Sequence, residues 1–189
     1  MFEKFIIFKE NWKEIRDEVI SVGFDKFQKH PQCDYDNYRA LNTGENPGIV
    51  LSVGGDDIKE NIKLYPKTWE LYNELDLPSK QSIGFAYLTP TSVINIHTDP
   101  EDCYRYHLCL QVEENTSNIF GNLMRDTESE SFINEGEAVI LEPAVIEHWG
   151  KNDSDYLNRL HLVIDFLEGP EDKSILEYQK LFNKDGWNV

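Results

Sequence analysis

Val93-Ile-Asn-Ile-His-Thr-Asp-Pro100 is the stretch on which the reading of this chain turns. Rich in β-branched residues, it reads as a short strand that runs into a His-x-Asp triplet and stops at a proline. Side chains in a strand return to the same face every second residue, so His97 and Asp99 point the same way if the strand continues through them. A remote imidazole, His148, would complete two histidines and one carboxylate. That set holds ferrous iron on one face and leaves positions open for substrate and oxygen. Taken alone, the triplet has the look of a surface turn or a satisfied strand end just as well.

Further along, Leu157-Asn-Arg-Leu-His-Leu-Val-Ile-Asp-Phe166 is a second strand candidate, and it carries Arg159. A fixed guanidinium fork is what a dicarboxylate co-substrate needs at its far end. Arg159 and His161 alternate on this strand, as Arg105 and His107 do on another, each pair interrupting an otherwise apolar face. Buried cations need anions. Asp165 and Glu142 are internal candidates for that role, and a bound ligand is the other. Cys109 would share a face with Arg105 and His107, as a small buried hydrophobe or as part of a site lining.

Strand candidates at 49–53, 81–88, 93–97, 104–112, 118–124, 137–141 and 157–166 are separated by turn residues. Short strands at this spacing predict a mainly β architecture, a double-stranded β-helix of the jelly-roll, cupin-like kind, with helices packed outside. Asn11 is a candidate cap for a helix bearing Trp12, Ile15 and Val19, with Gly23 as its stop. A second helical pattern opens at Pro66 and carries Trp69, Tyr72 and Leu75, and a last one begins at Pro170. At 189 residues, 40% of them hydrophobic, one domain is expected. Within it, 1–80 would give helical support and a substrate rim, 81–168 the catalytic core and 169–189 the terminal helix.

The formal charge of −17 excludes the basic footprint that nucleic-acid binding requires. Residues 1–10 hold too short an apolar run, flanked by charges, for a secretory leader or a membrane span. A cytosolic enzyme is therefore expected, with Cys33, Cys103 and Cys109 reduced. Oligomeric state is not legible.

Between residues 89 and 165 the chain resembles the aspartyl/asparaginyl β-hydroxylase family of 2-oxoglutarate and iron(II) dependent oxygenases. The match is carried by His97-Thr-Asp-Pro100, Arg105-Tyr-His-Leu108, Glu135-Gly-Glu137 before an apolar strand, Glu147-His-Trp149, and Arg159 followed by Leu162-Val-Ile-Asp165. It covers less than half the chain. The resemblance implies that His97 and His148 bind iron and that Arg159 holds the distal carboxylate of 2-oxoglutarate. It also implies that Arg105 and His107 help position the co-substrate, with ascorbate as an accessory reductant. The best-known animal members have glycine where this chain has Asp99; here the third ligand of the wider superfamily is present. Where the family tends to place a hydroxyl residue on the preceding strand, this chain has Ala86, with Tyr87 and Thr89 as neighbours.

The implied activity is hydroxylation of a C–H bond, in an amino-acid residue of a peptide or protein or in a related small molecule. The alternatives are a metal-dependent enzyme of the same fold that uses no 2-oxo acid, and a non-catalytic metal or ligand-binding module. Inward arginines favour the first over the second, and a complete ligand set argues against the third. His30 reads as a surface loop residue, His161 as an internal partner of Asp165, and Trp149 as facing away from His148. The acidic run 168–172 reads as a solvated turn, and loops at 42–47, 54–57 and 113–117 as a pocket rim.

Overall fold

The computed structural model of the protein describes residues 2–29, 47–54, 56–77, 80–99, 103–113 and 133–167. Helices come first: a 3-10 turn at Phe2–Phe5, α1 (Ile6–Glu10) and α2 (Trp12–Val22), the last burying Ile15 and Val19 at helical spacing. Gly23 ends α2 with φ +87°, a backbone conformation that side-chain-bearing residues rarely adopt. Asn11 does stand at the N-cap of α2. Its side-chain amide, however, donates back to the Ile7 carbonyl at 2.7 Å, so it closes α1 rather than capping α2. The helix at Pro66–Glu74 has its proline in the first turn, as expected.

Seven strands form the larger sheet, all paired antiparallel. Its order is β1 (Gln28–Lys29), β2 (Pro47–Val53), β4 (Lys80–Leu88), β9 (Arg159–Phe166), β6 (Tyr104–Gln111), β7 (Ala138–Leu141), with β3 (Asp56–Asp57) paired to β2. A smaller sheet pairs β5 (Val93–His97) with β8 (His148–Lys151). This is a double-stranded β-helix of the jelly-roll kind with helices outside it, as the strand spacing predicts. The expected strand at 118–124 and the helix from Pro170 lie outside the described residues, as do His30, Cys33 and the acidic run 168–172.

The two faces of the larger sheet have different chemistry because each strand alternates. On the outer face, Ile83, Phe85, Tyr106, Leu108, Leu160, Leu162, Ile164 and Phe166 pack with Phe5, Phe8, Ile15, Val19, Tyr65 and Leu71 from the helices, all at most 2% exposed. Burying an aliphatic or aromatic side chain of this size stabilises a fold by roughly 1.5–3 kcal/mol, so this cluster is the main source of cohesion. The inner face turns Arg159, His161 and Asp165 toward the smaller sheet, between Ser82 and Ala86 on β4 and Arg105, His107 and Cys109 on β6. Asn152, buried, donates its amide to the carbonyls of Leu88, Thr89 and Leu157 and so ties the end of β4 to the approach to β9.

Candidate active site

His97 and His148 are directly opposed across the smaller sheet, with ring centroids 4.3 Å apart. Regular alternation would send Ile94 and His97 to opposite faces, because they are three positions apart. A bulge between Ile94 and His97 removes that conflict, and both line the same cavity while Ile96 is 53% exposed. The two imidazoles are held alike. His97 Nδ1 lies 2.7 Å from the Asn95 carbonyl and His148 Nδ1 lies 2.9 Å from the Ile146 carbonyl, each two residues back along the chain. A carbonyl only accepts, so each Nδ1 carries a proton, which leaves Nε2 as the ring nitrogen that can bind a metal.

Both Nε2 atoms face Asp99. This residue lies just past the end of β5, fixed by its backbone N–H donating to the Pro143 carbonyl at 2.8 Å. Its Oδ1 is 3.4 Å from His97 Nε2 and its Oδ2 3.8 Å from His148 Nε2. One ligand atom from each of the three residues falls within 4.8 Å of the others. Burial opposes the Asp99 charge, but the His97 hydrogen bond and the Arg105 guanidinium outweigh it and hold the carboxyl well below its ordinary range. Burial also opposes a proton on His97, yet its bonds to Asp99 and the Asn95 carbonyl raise its pKa. His148 is lowered, by burial and by the neighbouring His97. Two imidazole lone pairs and an ionised carboxylate converging on one point suit a ferrous ion.

Arg105 is engaged by two carboxylates. Its Nε donates to Asp165 Oδ1 at 2.7 Å, its Nη2 to Asp165 Oδ2 at 3.1 Å, and its Nη1 makes a short contact to Asp99 Oδ2. Ser82, across the β4–β9 ladder, adds its hydroxyl to Asp165 Oδ2 at 3.0 Å. Burial opposes the Arg105 charge, but Asp165 and Asp99 more than compensate and raise its pKa. Asp165 is thus the internal anion for this arginine, whereas Glu142 has no described side-chain contact with it.

The deep end is built around Arg159, which is 4% exposed. Its Nε donates to His161 Nε2 at 3.0 Å and its Nη1 reaches the Lys151 carbonyl at 3.3 Å. Burial lowers its pKa to about 10. His107 and His161 meet edge to face at 5.8 Å between centroids, and burial, with the nearby arginines, pushes both far below the usual histidine range. His161 therefore stays neutral and accepts from Arg159; the partner expected for it, Asp165, goes to Arg105. Gly150, two residues after His148, faces Arg159: a Cβ there would sit 2.9 Å from Nη1. Cys109 is a buried hydrophobe packed with Ile133, Val139 and Leu141, its thiol pushed up to about 12 by burial.

A cavity of about 530 Å³ joins the two ends and continues past Val50, Val53 and Gly54. His97, Asp99, Arg105, His107, His148 and Arg159 all line it, so the six residues singled out in the sequence converge. Trp149, expected to turn away, contributes to its wall as well. Tyr87 packs its ring against Phe24 and Phe27, and the Thr89 hydroxyl meets that of Ser92. Sequence reasoning missed Ser82 and Gly150, because neither type signals chemistry; only the strand register gives them away.

Structural comparison finds the same fold in a solved protein. The protein is similar to a Pseudomonas putida prolyl-4-hydroxylase at 12% identity and a TM-score of 0.56, over 85% of this chain and 88% of that one. Less close are a 2OG-Fe(II) oxygenase family oxidoreductase from Burkholderia pseudomallei (10% identity, TM-score 0.48, 81% and 78% covered) and a cupin-like protein from Thermotoga maritima (14%, 0.40, 77% and 90%). At such identities the likeness is one of fold. In sequence, no curated protein matches the chain. The family model for aspartyl/asparaginyl beta-hydroxylase matches residues 9–168, and the chain belongs to that family. The protein is accordingly an oxygenase, a hydroxylase in kind. Among the described residues no helix is long and apolar enough to cross a membrane.

Proposed function

We propose that His97, Asp99 and His148 hold Fe(II), that Arg159 anchors the distal carboxylate of 2-oxoglutarate, and that the bound pair serves to hydroxylate a C–H bond. The prime substrate in this reading is an aspartyl- or asparaginyl-type residue in a peptide or protein, or a related small molecule. When bound, Fe(II) and 2-oxoglutarate would activate dioxygen, the oxidant for an unactivated C–H bond, with 2-oxoglutarate oxidised to succinate and carbon dioxide. The chain contributes orientation. The Nδ1 bonds of both histidines orient the rings so that Nε2 is aimed at one point. Arg159, kept in place by His161 and the Lys151 carbonyl, offers a positive fork in a buried setting where charge-assisted hydrogen bonds are strong. His107 lines the same wall as a neutral ring. The cytosol as the setting is supported by Cys109, which forms no disulfide.

The observation that carries this reading is the pair of matched Nδ1–carbonyl contacts, which present two imidazole lone pairs to one carboxylate in a cavity that also contains a buried arginine. The test is succinate formation from 2-oxoglutarate by the purified protein with Fe(II) and ascorbate, beside His148→Ala and Arg159→Ala. Turnover in the wild type that is lost in both variants supports the assignments. Failure of metal-loaded wild-type protein either to turn over or to bind 2-oxoglutarate would overturn them.

A further inference from the structure

Resting on the metal assignment above, we infer that Arg105, backed by Asp165 and Ser82, is a positioning group for the Asp99 carboxylate rather than a contact for 2-oxoglutarate. Three donors of one guanidinium are directed at two carboxylates: Nε and Nη2 at Asp165, Nη1 at Asp99 Oδ2. The fork is planar and rigid, so fixing two of its corners on Asp165 fixes where the third points. Asp165 is itself held in place. It is the direct cross-strand partner of Arg105 on one side and of Ser82 on the other, whose hydroxyl donates to Oδ2 at 3.0 Å.

The consequence falls on Asp99. Its residue lies beyond the last paired position of β5, so no strand ladder orients it. The Pro143 carbonyl fixes its backbone, and Arg105 fixes the rotation of the side chain by taking Oδ2. Oδ1 then remains on the side of His97 Nε2, at 3.4 Å. A carboxylate with one oxygen tied to a cation is prepared to give the other to a metal, and such supporting contacts typically change metal affinity by about 10–100-fold. The guanidinium also compensates the charge of this buried carboxylate. Arg159 lies at the other end of the β4–β9 ladder from Asp165, and donates to an imidazole and a carbonyl.

The test separates metal affinity from co-substrate affinity. Apo protein is titrated with Mn(II) alone by calorimetry, then 2-oxoglutarate is titrated into protein saturated with Mn(II), for wild type, Asp165→Asn, Arg105→Lys, Ser82→Ala and His97→Ala. Thermal melts verify that each variant folds. Asp165→Asn and Arg105→Lys are expected to weaken Mn(II) binding by about 10-fold or more, and Ser82→Ala by a few-fold, with 2-oxoglutarate affinity within about twofold of wild type in all three. Ser82→Ala lies outside the ion pair, so it remains informative if the other two fail to fold. A loss of 2-oxoglutarate affinity with Mn(II) affinity intact would return Arg105 to the co-substrate and overturn the inference, as would no change in either. Absence of Mn(II) binding by the wild type, or binding indifferent to His97→Ala, would instead overturn the metal assignment beneath it.

Discussion

The smaller and larger sheets supply opposite kinds of surface to one cavity. The smaller sheet, β5 with β8, is two strands wide among the described residues, half-exposed, and contributes His97 and His148, whose geometry is set by bonds to carbonyls two residues away. In the larger sheet, β9 is buried along nearly its whole length and contributes Arg159 and His161, held by long-range packing at a depth where charge is disfavoured. The two imidazoles need only a local scaffold, because each is oriented by a carbonyl two residues back along the chain. A buried cation needs a fold around it, since burial opposes its charge. The contrast teaches that one site can be assembled from a locally determined half and a globally determined half.

The largest expected effect strikes the local half. His97→Ala and His148→Ala each remove a donor outright, and the loss of metal affinity should exceed the range of about 10–100-fold that follows removal of a mere supporting contact. Turnover should disappear with it. Retained Mn(II) affinity and succinate formation in either variant would break the distinction at its root. Next comes the deep half. Arg159→Ala should raise the 2-oxoglutarate requirement by about 10–100-fold, since a hydrogen bond to a charged group contributes roughly 1.5–3 kcal/mol, while Mn(II) affinity stays near wild type. An unchanged apparent KM for 2-oxoglutarate would remove Arg159 from the anchoring role.

How much of this was legible in the sequence follows the same division. The strand spacing yielded the sheets, and residue type together with order yielded all six cavity residues, because His-x-Asp, a distal His and inward arginines are local signals. Partner choice was not legible. Asp165 is two positions from Val163 and four from His161 on one strand face, so an internal bond to His161 looked natural. The register instead sets Asp165 opposite Arg105 and Ser82, and His161 beside Arg159. The bulge before His97 was equally hidden, since it inserts a residue that no periodicity announces. Helix α1 escaped because five residues are too few for a periodic signal; Phe5 and Phe8 hold it by packing on Tyr106.

Gly150 is where the two halves touch, and it allows a smaller, sharper probe. A Cβ there would meet Arg159 Nη1 at 2.9 Å, tighter than ordinary contact, with Leu88 and Ile94 side chains next nearest. The far end of an arginine yields more readily than backbone, so Gly150→Ala should fold and shift the guanidinium. The expected result is a rise of a few-fold in the 2-oxoglutarate requirement with Mn(II) affinity unaltered, although the mutated residue belongs to the metal-bearing sheet. A change confined to Mn(II) affinity would mean that the sheets do not divide the work this way.

The smallest effect is on stability, and its sign differs between His97 and the deep rings. Burial depresses the pKa of His107 and His161 far below the ordinary value, so below about pH 6.5 the unfolded chain binds protons that these two rings refuse in the fold. Stability contributed by each is therefore present above that pH and lost as pH falls, by up to about 1.4 kcal/mol per pH unit per ring. His97 is raised in the fold, so its contribution runs the other way: present at acid pH and lost as pH rises through its folded pKa. Urea unfolding of the metal-free protein at about pH 7 and about pH 5.5 should then show an acid loss that becomes shallower in His161→Gln and steeper in His97→Gln. Equal slopes in both variants would mean that the deep rings carry protons after all, and that the inner wall is far wetter than its packing implies.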